Sequence, residues 1–373
     1  MRIDAILLRE LQIPLVQPFE TSFGVTTNRR VLLVELRAEG LSGWGECVAG
    51  EHPYYSEESI DSAWQVILQE LAPALIAAEP AHGGKCPGIF GRVRGNRMAK
   101  AALENAVWDL EAQMREIPLT ELLGGIRETI PCGVSIGIQP TLERQMAEIE
   151  KELAAGYQRI KLKCKPGWDT KIFEAVRNRW PEILLSCDAN SAYRLHDADH
   201  IAAWDAFKLL MIEQPLWADD FYFHSILQKR LATDICLDES IRNRRDALAA
   251  IEMESCRIIN IKVGRVGGFS EAIAVHNAAQ ERGIPVWCGG MLETGVGRSH
   301  NIALASLENF RLPGDVSASK RYWKEDIIEP EVEVSTEGEI KVPETPGRGF
   351  EVREGLVERL AVRRDEVRAM VTA

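Results

Sequence analysis

The chain is 373 residues long, 46% hydrophobic and 27% charged, and its 44 lysines and arginines against 56 acidic residues leave a formal charge of −12. That balance excludes a chain-wide attraction to nucleic acid or to an anionic membrane, and no apolar run reaches the ~20 residues that a membrane-spanning helix needs. The length suits two domains, or one large barrel with an accessory domain. Met1-Arg2-Ile3-Asp4 lacks the basic start and apolar stretch of a leader, so a cytoplasmic protein is expected, with neither nucleic acid nor membrane as partner. Eight cysteines are scattered without a CxxC pair, several inside apolar runs; buried free thiols are expected rather than disulfides or zinc.

In chain order, residues 3–13, closed by Pro14, and residues 31–38 read as antiparallel strands, with turns at 38–40 and 41–43. Residues 56–71 and 98–114 carry apolar side chains at helical spacing, the second with Ala102, Ala106 and Leu110 on one stripe and Pro118 beyond its end. Residues 80–95, rich in Gly and Pro, read as a loop. From about Pro131 short apolar strands alternate with helical segments, the pattern of repeated βα units around a parallel sheet. The expected strands are 132–138, 159–164, 184–188, 209–213, 235–238, 258–263, 286–289 and a short one ending near Leu312. Eight such strands predict a barrel. The charged stretch from Trp323 onward loses the alternation, so it is expected to return to the N-terminal domain.

Lys163, Asp188, Glu213, Asp238 and Lys262 end five successive strands, separated by 25, 25, 25 and 24 residues. No repeated consensus accompanies that period, so the geometry of one βα unit repeats rather than a solenoid motif. In a parallel barrel these ends meet on one rim, where active sites of the fold lie. Three carboxylates on rigid strands, without histidine or thiolate beside them, suit a hard divalent cation: Mg²⁺, or Mn²⁺ in its place. Each could instead cap the following helix, but equal spacing at three apolar strand ends favours the metal. Lys161 and Lys163 are two apart on one strand and share a face. Their mutual repulsion and burial should bring one of them toward the ~7 to 8 useful to a general base. Lys262, unpaired among β-branched residues, needs a polar cavity to be tolerable. A cation between two lysines is apparatus for removing a proton next to a carboxylate, because positive charge stabilises the enediolate that forms.

Lys161-Leu162-Lys163, Asp188-Ala189-Asn190, Glu213-Gln214-Pro215, Asp238-Glu239-Ser240, Asn260-Ile261-Lys262 and Gly289-Gly290-Met291-Leu292-Glu293-Thr294-Gly295 together resemble the muconate-lactonising subgroup of the enolase superfamily. With Gly95-Asn96-Arg97-Met98 and Trp287-Cys288-Gly289-Gly290, the chain is most similar to the o-succinylbenzoate synthase and N-acylamino acid racemase family, over essentially its whole length. The resemblance implies a modified (β/α)8, that is (β/α)7β, TIM-like barrel over residues 126–322, under an α+β capping domain built from residues 1–125 and 323–373. It implies Mg²⁺ on Asp188, Glu213 and Asp238, with Lys163 and Lys262 as the acid–base pair. Lys161, Asn190 and Glu239 would support them. Ser135, Met291 and Leu292 would line the substrate pocket, and Phe19, Phe23 and Tyr55 would exclude water and contact the distal part of the substrate. The segment 81–91 departs from the family pattern.

The activity so implied is dehydration of a cyclohexadiene carboxylate to o-succinylbenzoate, a step of menaquinone synthesis, or racemisation of N-acylamino acids, or both. The expected partner is a small carboxylate, and a homo-oligomer is expected. Another enzyme of the subgroup, such as a dipeptide epimerase or cycloisomerase, shares the motif residues. A Schiff-base lyase would use one lysine as nucleophile and leave three carboxylates without a task; a non-catalytic binding protein would have no need of both lysines.

Overall fold

The computed structural model describes residues 1–22 and 24–369. Three antiparallel strands open the chain: β1 (Ala5–Glu20), β2 (Val25–Ala38) and β3 (Leu41–Cys47). The first two extend well past the expected strands, and Pro14 does not end β1. It pairs with Asn28 beside a register shift, after which Phe19 pairs with Thr26; there the strand is exposed, and a missing N–H is tolerated next to an irregular, solvated stretch. Both faces of the sheet are covered. Val31, Leu33 and Trp44 join the large core that fills the barrel, whereas Leu32, Val34 and Leu36 pack with the helix Arg97–Met114 in a second core.

That helix lies almost on the backbone of β3. A Cβ on Gly45 would meet the Ala102 carbonyl at 1.9 Å, and one on Gly43 the Ala106 carbonyl at 2.2 Å. Glycine against alanine thus sets the approach, and Asp109 closes it by accepting from the Trp44 amide at 2.9 Å. The expected helix at 56–71 starts later. Ser59 has an extended backbone and caps the helix Ile60–Val66 in a capping box with Ser62; a π-turn, Ile67–Leu71, then leads into the helix Ala72–Ala78. The segment read as a loop at 80–95 contains a short helix, Cys86–Ile89, between two single turns, with Cys86 and Phe90 buried. Its prolines and glycines hid those turns.

After β4 (Thr129–Pro131) comes the parallel sheet: β5 (Gly133–Ile136), β6 (Arg159–Lys163), β7 (Leu184–Asp188), β8 (Ile212–Glu213), β9 (Ile235–Leu237), β10 (Ile258–Ile261) and β11 (Val286–Cys288). Their order in space is their order in the chain, with a helical connection after each of the first six. The eighth expected strand is reduced to single parallel bridges, Val286 with Phe310 and Cys132 with Gly314, which join the two edges of the curled sheet. The fold is thus TIM-like, with a separate antiparallel cap. The remaining chain adds β12 (Ile328–Glu329) on β14 (Glu351–Val352), β13 (Glu339–Lys341) on β4, and β15 (Ala361–Arg368) antiparallel to β1. All eight cysteines are free and buried, and no helix among the described residues is long and apolar enough to cross a membrane.

Two buried glutamates tie the layers together. Glu104 accepts from the Ser270 amide at 2.7 Å, and Glu46 accepts from the Thr294 and Gly297 amides at 3.1 and 3.0 Å. Burial outweighs these hydrogen bonds and pushes both carboxyls up to about 7. A raised carboxyl contributes its stability below the unfolded value near 4.5, and that contribution is lost as pH rises through the folded value. Each should therefore cost the native protein about 1.4 kcal/mol per pH unit between about 5 and 7. Denaturant unfolding at pH 5 and pH 8 should show Glu104→Gln losing less stability across this interval than wild type; equal losses would refute the assignment.

Candidate active site

The strand ends bring the expected residues together on one rim. Lys161 and Lys163 lie on β6, Asp188 and Glu213 end β7 and β8, and Asp238 and Lys262 follow β9 and β10 directly. All six are buried. Lys163 Nζ donates to Asp188 Oδ2 at 2.6 Å and to Asn190 Oδ1 at 2.7 Å, and Asn190 Nδ2 in turn donates to Glu239 Oε1 at 2.9 Å. Lys161 Nζ donates to Glu213 Oε2 at 2.7 Å and stands 3.5 Å from Asp188 Oδ2. Across the rim, Lys262 Nζ donates to Asp238 Oδ2 at 2.7 Å and to the Tyr55 hydroxyl at 3.0 Å. The sheet order puts three carboxylate-bearing strands between the two outer lysines.

A cavity of about 380 Å³ opens over this rim. Lys163 and Lys262 both line it, with Asn190 and with Phe19, Tyr55, Met291 and Leu292, so four of the expected substrate contacts meet the two lysines. Ser135 does not line it: its side chain is buried at the end of β5, and the hydroxyl has no hydrogen-bond partner. Phe23 lies outside the described residues. The cap loop is tied to the barrel by Ile138 N to Glu20 O at 3.0 Å, Lys165 Nζ to Glu20 Oε1 at 3.2 Å and Ser22 Oγ to Asn190 O at 3.3 Å.

The electrostatics correct one expectation. Burial pulls the Lys161 ammonium down, but the Asp315, Glu213 and Asp188 carboxylates outweigh it and hold the group above the ordinary lysine range. Lys262 behaves alike: burial lowers it, and Tyr55, Glu213 and Glu239 raise it further. The neighbouring ammonium on β6 was expected to lower one of its two lysines, yet at Lys161 the facing carboxylates prevail. Asp188 shows the converse, since burial raises it while Lys163 and Lys161 bring it down to about 2. Glu213 is raised by burial and by Asp188.

Several residues of the site have roles that the sequence reading does not assign. Asn260 donates to Glu213 Oε1 at 2.8 Å; it stands two before Lys262, and alternation along a strand could have flagged it. Arg265 contacts Asp238 from the turn after Lys262. Asp315 receives both Lys161 Nζ at 2.7 Å and Arg159 Nη2 at 2.8 Å, and it comes from the bridging segment, where no periodicity points to it. Tyr55, expected to contact substrate, donates to Asp238 Oδ1 at 3.1 Å. Positive φ at Asn190, Ser191, Gln214 and Leu292 marks the turns just beyond the strand ends. Strained backbone of this kind gathers at functional sites.

These features define a two-domain enzyme of the enolase type. Residues 3–124 match the family described as mandelate racemase / muconate lactonizing enzyme, N-terminal domain, and residues 144–356 match the enolase C-terminal domain-like family. The chain belongs to this family. It is 52% identical to an o-succinylbenzoate synthase of Geobacillus kaustophilus, over 96% of each chain, and 48% identical to an N-succinylamino acid racemase of Amycolatopsis sp., over 94% of this chain and 95% of that one. Among solved structures, a member of the enolase superfamily from Listeria innocua superposes with a TM-score of 0.95 at 40% identity, over 99% of both chains.

The pairing predicts how much one lysine carries. Replacing Lys161 with Ala leaves Glu213, Asp188 and Asp315 short of a counter-charge in a buried layer, and breaking such a set costs about 3–5 kcal/mol. Urea unfolding of chelator-treated protein should register a loss of that order. A loss below about 1 kcal/mol would mean that these carboxylates do not depend on Lys161.

Proposed function

We propose that Lys163 and Lys262 are the acid–base pair of an enzyme that moves the proton α to a carboxylate, acting as an o-succinylbenzoate synthase, an N-succinylamino acid racemase, or both. One observation carries the reading: two buried lysines line one cavity four strands apart, with three carboxylate strands between them. The names of the relatives at 44–52% identity support both activities. The two reactions begin with the same proton abstraction, so one set of bases serves either.

The donor set fits a hard divalent cation, for which we propose Mg²⁺ held by Asp188, Glu213 and Asp238. Its oxygens are carboxylates at adjacent strand ends, and Glu239 Oε2 beside them is buried without a hydrogen-bond partner. Among the described residues no three such side chains already form a closed ligand set; each is drawn to a lysine or arginine instead. When bound, the ion would supply positive charge against the negative charge that grows on the substrate carboxylate as the α-proton leaves. The chain's own residues do the rest. Asn190 orients the Lys163 ammonium and Tyr55 that of Lys262. Each lysine reaches the α-carbon from one face, and Phe19 and Tyr55 close the cavity over it.

Racemisation needs both lysines, one to take the proton and the other to return one. Dehydration needs a single base that later passes its proton to the leaving hydroxide. Lys163→Ala and Lys262→Ala should each abolish racemisation of an N-succinylamino acid. Each should keep α-proton exchange with D₂O for one enantiomer, and the two variants should keep opposite enantiomers, as followed by proton NMR. Exchange of both enantiomers by either variant, or of the same one by both, would refute the opposed pair. Activity should also vanish on exhaustive chelation and return with Mg²⁺; activity that survived chelation would refute the cation.

A further inference from the structure

One wall of the cavity is the turn after β11, and its backbone is unfavourable by itself. Leu292 has φ 58°, a left-handed conformation that a bulky side chain avoids, and it lines the cavity with Gly290 and Met291. The neighbouring Glu293 is bonded to the same turn. This side chain is 7% exposed and folds back on its own turn, so that Oε2 accepts from the Met291 amide at 2.8 Å while Oε1 accepts from Asn301 Nδ2 at 2.9 Å. The Glu293 carbonyl accepts from Arg298 Nη2 at 2.9 Å and Trp323 Nε1 at 3.0 Å. Asn301 and Arg298 belong to the helix Gly295–Ala305, whose first turn is fixed to the cap by Glu46 of β3. There is no slack in the joint: a Cβ on Gly297 would stand 2.8 Å from Glu293 Cγ and 2.9 Å from Glu46 Oε2.

We propose that Glu293 is a positioning residue for substrate selection. By holding the Met291 N–H it keeps Leu292 in the left-handed turn, and the wall thus shaped by Met291 and Leu292 receives an apolar side chain of an N-acylamino acid. None of the hydrogen bonds of Glu293 involves either lysine, so its removal acts on which substrate fits and leaves proton transfer intact. The kinetic arm of the test rests on the proton-abstraction reading above; the other arm does not.

Two measurements on Glu293→Ala, Glu293→Gln and Leu292→Gly test the proposal. In substrate-free protein, hydrogen exchange of the Met291 amide should speed up about tenfold or more in Glu293→Ala, because its acceptor is gone. In D₂O exchange kinetics, the KM of this variant for N-succinylphenylalanine should rise about tenfold, the scale of a lost pocket contact. Its kcat for that substrate, and both constants for N-succinylalanine, should stay within about twofold. Glu293→Gln should behave like wild type, since its amide oxygen can still accept from Met291 and its NH₂ can donate to a flipped Asn301. In a Leu292→Gly background, loss of Glu293 should no longer alter the KM ratio, because glycine adopts this backbone unaided. An unchanged Met291 exchange rate, or kcat falling alike for both substrates, overturns the proposal. Should Glu293→Ala fail to fold, Leu292→Gly decides: the proposal requires a changed KM ratio, and an unchanged one overturns it. Wild type that exchanges neither substrate refutes the proton-abstraction reading, and the amide measurement then decides the role of Glu293.

Discussion

Charges as deeply buried as those at the strand ends of this barrel persist only when each faces an opposite charge, because the cost of desolvation exceeds what an unpaired group can recover. The structure meets the constraint by alternation. Arg159 pairs with Asp315, Asp315 with Lys161, and Lys161 with Glu213 and Asp188, the last of which also holds Lys163. On the far side Asp238 takes Lys262 and Arg265. Trp287 lies beneath the network, with the Lys161 ammonium 4.6 Å and the Arg159 guanidinium 4.9 Å from its ring centre, a contact that favours cations where water is absent. Glu213 and Asp188, two of the carboxylates that would hold a cation, thus also help to keep the Lys161 ammonium charged, and Glu213 does the same for Lys262. A divalent ion on Asp188, Glu213 and Asp238 would offset part of that negative charge and weaken its hold on these two ammonium groups.

How much of this was readable in the sequence follows from what periodicity can encode. Strand ends repeat with the βα unit, so Lys163, Asp188, Glu213, Asp238 and Lys262 stood out from their 25- and 24-residue spacing alone, and the parallel sheet followed from the same rhythm. Residues that act from irregular segments carried no such mark. Asp315 sits where the eighth strand has shrunk to isolated bridges, and its partners, Lys161 and Arg159, are more than 150 positions away. The boundaries erred for local reasons. Pro14 was read as a stop, but β1 passes through it where the pairing is already irregular. Residues 80–95 were read as a loop because short turns built on Gly and Pro leave no apolar period to detect. At Lys161 the expected lowering did not occur, because sequence gives the neighbour on the same strand and not the Asp315, Glu213 and Asp188 carboxylates around it.

The cap is more than a cover. Its sheet contributes one face to the barrel core and the other to the core with the helix Arg97–Met114, so it cannot swing away as a rigid lid without exposing Val31, Leu33 and Trp44. What remains free to vary is its rim. The end of β1 and the start of β2 are exposed and irregularly paired, and the loop that carries Tyr55 reaches over Lys262. A stiff sheet with a loosely paired rim can shape a cavity around different substrates while the parts beneath keep their positions.

This division separates two kinds of control. The lysines proposed to transfer the proton are carried by strands and fixed by buried ion pairs, where a shift of an ångström would break several bonds together. The proposed substrate wall lies on turns beyond those strands, where a single hydrogen bond such as that from the Met291 amide to Glu293 braces an otherwise unfavourable backbone. A change in the turns can therefore alter which carboxylate is held without disturbing the lysines, whereas a change in the ion-pair network alters every reaction that begins with α-proton abstraction. In the proposed scheme dehydration and racemisation share that first step and part at the second, where only racemisation needs a proton from the opposite lysine.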